Sequence, residues 1–302
     1  MALNTLEFAT KFAGELDKII TQKSVTGFMA DNLLRAKFVG ANSVIVPDID
    51  FVGLADYDRA GGFSKGKMTV SHTTYKLTKD RARSLQIDRE DMDETGIANL
   101  AGQIMGEYIR TMVVPEMDAY TIHKLAAIAA ENANTEALAT ANVYEQFITL
   151  VNGVQAKTGF DTEMVAFVNP EVYAALMNSD KIQKHIVVSD FKQGEINLKV
   201  KKLNDVVIIP VADDRMKTAY DFVTSGEDAT VGGFAPAETA KSIGMLVLPK
   251  CAASLVRKSE KIRVFEPDQN PDADAYKFDY RVYYDVFVKK SNLGHIAAAI
   301  AE

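Results

Sequence analysis

Residues 57–70, YDRAGGFSKGKMTV, admit two readings that lead to different folds. From Gly61 the stretch runs G-x-x-x-x-G-K, the spacing of a phosphate-cradling loop, with Met68 standing where a magnesium-binding Ser or Thr would follow. A working loop of that kind follows a buried strand and opens a helix whose first amides face the anion. Neither condition is met. The preceding LADYDR is polar, and the following KMTVSHTTYKL is rich in Thr, Val and Tyr, as strands are. The glycines therefore read as the bend of a long hairpin whose first strand is SVIVPDIDFVGL (43–54), with Pro47 indicating an edge or a bend. This hairpin carries few large apolar side chains, so it is expected to lie over another element.

Charge sharpens that reading. Between Tyr57 and Arg83 there are seven bases and two acids, a net charge of +5 in a chain whose total is -7. The compensating acids concentrate in two stretches, Asp88 to Glu94 and Phe265 to Asp285, each with a net charge of -4. A basic segment inside an acidic protein suits an acidic surface, its own or a neighbour's. The overall balance disfavours nucleic-acid binding as the main task.

Beyond the hairpin the period changes. Asp93 is a plausible N-cap, Glu94 suits the positive end of a helix dipole, and Ile97, Leu100, Ile104, Tyr108 and Met112 recur at helical spacing. Pro115 is expected to kink or divide this helix, which Met117, Tyr120, Leu125 and Ile128 then continue. At about 35 residues it would span about 50 Å, the length of a spine. ENANTEALATAN (131–142) reads as a connection. An alternating α/β region follows: a helix with Phe147, Val151 and Val154, a strand MVAFV (164–168), a helix capped by Asn169 with Pro170 at its first position, and strands DVVIIPV (205–211) and GMLVLP (244–249). Near the C-terminus, YKFDYRVYYDVFVKK places an apolar or aromatic residue at every even position from Tyr276 to Val288, the mark of a long strand with one buried face. EKIRVFEP is expected to pair with it antiparallel, both strands packing on the spine. The middle region is thus inserted into a domain that is discontinuous in sequence.

A chain of 302 residues with 47% hydrophobic content can bury a sizeable core. It shows no signal-peptide pattern and no apolar run of membrane-spanning length. With Cys251 as its one cysteine, an internal disulfide is ruled out, and no local motif activates the thiol, which is expected to be buried. His72, His123, His185 and His295 are scattered and form no metal-binding spacing. Asp213 and Asp214 follow a strand, where α/β enzymes place catalytic carboxylates, but a solvated turn explains them better. The acids of DREDMDE do not follow a calcium-loop spacing and read as helix-start residues.

NTLEFATKF, YDRAGGFSKGKMTV, RARSLQIDREDMDET, GEYIRTMVVPEMDAY and DYRVYYDVFVKK, in this order, resemble segments of the major capsid protein of tailed bacteriophages with the Hong Kong 97-like fold. The resemblance spans essentially the whole chain. It implies an α+β fold with an N-terminal arm (1–49), an extended-loop hairpin or E-loop (50–80), a peripheral domain of spine helix and long antiparallel strands (81–138 and 252–302) and an inserted axial α/β domain (139–251). It further implies a structural, non-enzymatic subunit that assembles into hexamers and pentamers of an icosahedral virion shell in the host cytoplasm. The shell would enclose double-stranded DNA without sequence-specific binding, with no cofactor or metal and no membrane. A portal protein and a separate scaffolding protein are implied partners, the latter because the chain reaches its arm at once. The hairpin would lie across the neighbouring subunit, giving Tyr57, Arg59, Gly61, Gly62, Phe63, Lys65 and Lys67 intersubunit contacts. The alternatives are an encapsulin-type bacterial shell and, further off, a nucleotide-binding enzyme.

Overall fold

The computed structural model describes residues 24–32, 37–39, 43–57, 59, 63, 65–90, 101–179, 186–193, 196–222 and 232–301. Strands β1 (Lys37–Val39), β2 (Ser43–Phe51) and β3 (Met68–Lys76) form one antiparallel sheet, in which Ser43 faces Lys76 and Phe51 faces Met68. The hairpin therefore begins at Ser43, inside the stretch assigned to the arm. Pro47 lies beyond the short reach of β1, where β2 is an edge strand bonded to β3 alone, a place where proline is tolerated. After Leu77 and Thr78 the chain enters β4 (Lys79–Asp88), which belongs to a different sheet.

The spine is helical from Ala101 to Glu131, as α1 (Ala101–Tyr108), a π turn (Ile109–Val113) and α2 (Val114–Glu131). Its expected start at Asp93 lies outside the described residues. Pro115 neither ends nor divides it: the wider π turn just ahead precedes the proline, which sits in the first turn of α2. The same turn corrects the apolar stripe. Buried positions run Met105, Ile109, Val114, Met117, and the step of five across the π turn rotates Met112 outward, leaving it 59% exposed.

Next come β5 (Thr135–Ala137), α3 (Val143–Thr158), β6 (Met164–Val168), α4 (Pro170–Asn178), β7 (Ile186–Gln193), β8 (Ile196–Leu203), β9 (Val206–Pro210), β10 (Tyr220–Phe222), β11 (Phe234–Pro236) and β12 (Ile243–Pro249). The chain closes with β13 (Ala253–Phe265), β14 (Ala275–Val288) and β15 (Ala297–Ile300). The Asn169 side chain accepts from the Glu171 amide at 2.9 Å, the cap expected at α4. A seven-stranded mixed sheet runs in the order β5-β15-β12-β6-β9-β8-β7, and a three-stranded antiparallel sheet in the order β13-β14-β4.

The seven-stranded sheet is apolar on both faces, which explains the unbroken hydrophobic runs of β6 and β12. Met164, Ala166, Val168, Met245 and Val247 pack on Phe147, Val151, Val172 and Leu176 of α3 and α4. The opposite phase, Val165, Phe167, Leu246 and Leu248, shares a core with Met117, Leu125 and Ala129 of α2 and with Phe278, Tyr280, Val282, Tyr284 and Val286 of β14. The spine is thus covered by both sheets. β5 and β15, which come from the two segments assigned to the peripheral domain, hydrogen-bond into the sheet of the middle segment. Phe28 and Met29 are also core residues, Phe28 stacking on Phe167 at 6.1 Å between centroids.

Candidate intersubunit surface

The hairpin differs sharply between its root and its distal half. At the root, Val44 and Leu77 are buried with Val256 and Phe287, and the Tyr75 ring lies 4.8 Å from that of Phe287. Tyr75 also donates its hydroxyl to the Val288 carbonyl at 3.3 Å. Farther out, Phe51 is 74% exposed, Met68 61% and Val70 50%. Phe51 and Met68 are directly paired, and Val70 lies two residues along β3, so all three share one face of the ribbon. Val44 and Tyr75, a pair in the other phase, occupy the opposite face. One face of the ribbon is therefore used by its own subunit near the root, while the other presents apolar side chains to the outside. Val52, Leu54, Tyr57 and Phe63 extend the exposed apolar set toward the tip. These apolar side chains are scattered singly along the sequence, and cross-strand pairing gathers them on one face.

Of the expected contact residues, Tyr57, Arg59, Phe63, Lys65 and Lys67 are all exposed. The rings of Tyr57 and Phe63 meet edge-on at 5.2 Å, joining the two arms of the ribbon. Gly61 and Gly62 lie outside the described residues. Downstream of Gly66 the chain is strand, not helix, so the phosphate-loop spacing has no helix N-terminus behind it.

The basic segment divides at Leu77. Lys65, Lys67 and Lys76 are exposed, whereas the bases after the hairpin serve their own subunit. Lys79 sits 3.8 Å above the centre of the Phe222 ring, and burial lowers its pKa. Arg81 makes a two-pronged pair with Glu116 at 2.6 and 3.0 Å and donates to the Gly233 carbonyl at 3.1 Å. Tyr284 donates to the same Glu116 carboxylate at 3.2 Å. Across the sheet the Arg281 guanidinium holds the Asp80 carboxyl below its ordinary range. The acidic stretches are likewise partly spent at home. Arg89 lies 3.5 Å from Asp268 and 3.6 Å from Asp274, Lys277 pairs with Asp272 at 2.6 Å, and Asp285 is fully buried.

The buried Asp118 of α2 fixes the segment that leads into the first core turn. It accepts from the Ser24 hydroxyl at 2.6 Å, the Thr26 hydroxyl at 2.7 Å and the amides of Val25 and Thr26 at 3.2 Å, with Arg215 at 3.4 Å. Burial pushes its pKa up, against the pull of these donors.

The other candidate groups have structural surroundings. Asp213 accepts from Asn169 at 2.6 Å and Lys217 at 2.7 Å in a short 3-10 turn, which fits the solvated-turn reading. His123 is half-buried against Thr218 and Tyr220, and His72 is exposed on β3. Cys251 is exposed, correcting the expected buried thiol, because the tight turn after β12 points it outward. Among the described residues no group of three His, Cys, Asp or Glu is placed to hold a metal ion, and no helix is long and apolar enough to cross a membrane.

No family model matches the chain, and no curated protein matches it in sequence. Solved structures do match it in fold. The structure of Gordonia phage Cozz aligns with a TM-score of 0.58 at 14% identity, over 91% of this chain and 86% of its own. The capsid structure of Cyanophage P-SCSP1u aligns at 0.57 and 11% identity, over 88% and 85%. The chain has the Hong Kong 97-like capsid fold. The virus-like particle from Pyrococcus furiosus shows the same capsid fold, with a TM-score of 0.51 at 14% identity over 97% of this chain and 99% of its own. Along the chain the hairpin, the spine, the strands β6 to β12 and the long pair β13 and β14 follow one another, and β15 returns to the seven-stranded sheet.

Proposed function

We propose that this chain is the structural subunit of an icosahedral bacteriophage or prophage capsid, self-assembling into hexamers and pentamers around double-stranded DNA, with no catalytic step of its own. The reading rests above all on the exposed face of Phe51, Met68 and Val70, carried on a hairpin whose root is anchored in its own subunit. Apolar surface gathered on a projecting ribbon is what an element seated on a second copy presents. The capsid fold supplies the setting, and exposed Arg59, Lys65 and Lys67 supply charge that favours correct register over raw affinity. The Tyr57–Lys67 tip would rest on the neighbour, with 1–49 as arm, 50–80 as E-loop, 81–138 and 252–302 as peripheral and 139–251 as axial regions. A separate scaffolding protein and a portal protein complete the proposed assembly, in the host cytoplasm and then in the virion.

Electron microscopy of the full chain expressed with its scaffolding partner tests this. Closed shells of one size, or capsomer rings, are the expected result, and dispersed monomers at all concentrations would sink it. The double substitution Lys65→Glu and Lys67→Glu should lower the yield of shells, more at low salt than at high salt.

A further inference from the structure

Asp285 falls in the odd phase of β14, the phase that the alternation assigns to solvent, yet it is 0% exposed. What covers it is the root of the hairpin. Asp285 accepts from the Thr78 amide at 3.0 Å and the Thr78 hydroxyl at 2.8 Å, at the point where β3 passes into β4. From α2 it accepts the Tyr120 hydroxyl at 2.9 Å and pairs with the Lys124 ammonium. The Thr78 and Tyr120 hydroxyls are themselves 3.1 Å apart. One carboxylate thus holds the hairpin root, the spine helix and the central strand. A buried carboxylate stripped of donors is costly, so none of the three can shift alone without penalty.

We propose that Asp285 is the hub of a coupling device: it fixes the angle of the hairpin to the spine helix, so that displacement of the hairpin is carried through Thr78 and Tyr120 into α2. The π turn at Ile109–Val113, just ahead of α2, is the boundary where such a displacement is taken up. The hub concerns the single subunit and does not depend on what the hairpin meets.

Hydrogen exchange on the unassembled full chain tests it. Thr78→Val should speed exchange of the root amides 43–46 and 73–77 by about tenfold, the equivalent of about one hydrogen bond, and that of amides 118–124 in α2 by about threefold. Thr78→Ser should restore both, and amides 164–168 of β6 should not change. Faster exchange at the root with α2 unmoved would reduce Asp285 to a simple anchor and overturn the coupling. So would no change at either place, or a uniform rise that includes β6. Asp285→Asn should reproduce the pattern more strongly, and if that variant fails to fold, Thr78→Val decides.

Discussion

β3 and β14 each place apolar side chains at alternate positions, Met68 and Val70 in the one and Tyr276 to Val288 in the other, and these meet opposite fates. In β14 the even series Phe278, Tyr280, Val282 and Tyr284 is buried beneath the spine helix. In β3 the even residues Met68 and Val70 stand 61% and 50% exposed, with Phe51 of β2 beside them. Period alone says that a strand has an apolar face; it does not say whether the covering layer lies in the same chain. For β14 that layer is α2. For β3 the covering layer we propose is a second copy. β3 and β4, the strand that pairs with β14, sit on opposite sides of Leu77 and Thr78, so a few residues separate surface offered outside the subunit from surface used within it.

Three substitutions test this contrast, and the strongest acts on β3. Phe51→Asp with Met68→Asp should abolish shells in electron micrographs and leave sedimentation at the size of the unassembled protein. Stability of the subunit should change by no more than about 0.5 kcal/mol, as for other surface sites. If the same pair unfolds the subunit, the face is part of its own core and the contrast collapses. On β14, Tyr284→Ala should do the reverse. It removes a ring buried to 1% exposure, 5.6 Å from that of Tyr120, and should cost about 3–5 kcal/mol in urea denaturation. A loss well below that would mean that the β14 face is less tightly packed than its burial indicates.

The smallest effect concerns the spine alone. His123 donates from Nδ1 to the Thr218 carbonyl at 2.5 Å, and burial, reinforced by Lys79 and Lys124, lowers its pKa below 6.5. The folded state therefore favours the neutral ring. Its contribution is present above pH 6.5 and is lost as pH falls through the depressed folded value. Melting curves between pH 7.5 and pH 5 should show a decline that His123→Gln flattens, and parallel curves for the two proteins would exclude His123 as the cause.

Much of the architecture could be read from residue order. The β14 alternation, the apolar runs of β6 and β12, and the Asn169-Pro170 start of α4 each declare their element locally. β7 and β8 are less visible, although Asn204 and Asp205, at φ +50° and +64°, form the two-residue turn that joins β8 to β9. β5 is missed because Thr135, Glu136 and Ala137 carry no strand pattern of their own and form a strand only through pairing with β15. At the candidate surface, Tyr57, Phe63, Lys65 and Lys67 are legible from a turn rich in glycine and lysine. Phe51, Met68 and Val70 are not, because Phe51 lies 17 residues from Met68 in sequence and only register brings them together.

The sequence by itself determined the spine, the hairpin and the elements with a clear pattern of their own, because helical and strand periodicity and turn chemistry are local properties of the chain. Tertiary structure decided what each apolar face meets and which charges remain available outside the subunit. Arg81 and Asp285 look like surface charges in sequence, yet one is clamped on Glu116 and the other is sealed beneath Thr78. The physical reason is that burial is set by what packs on top, and the covering layers here come from far along the chain.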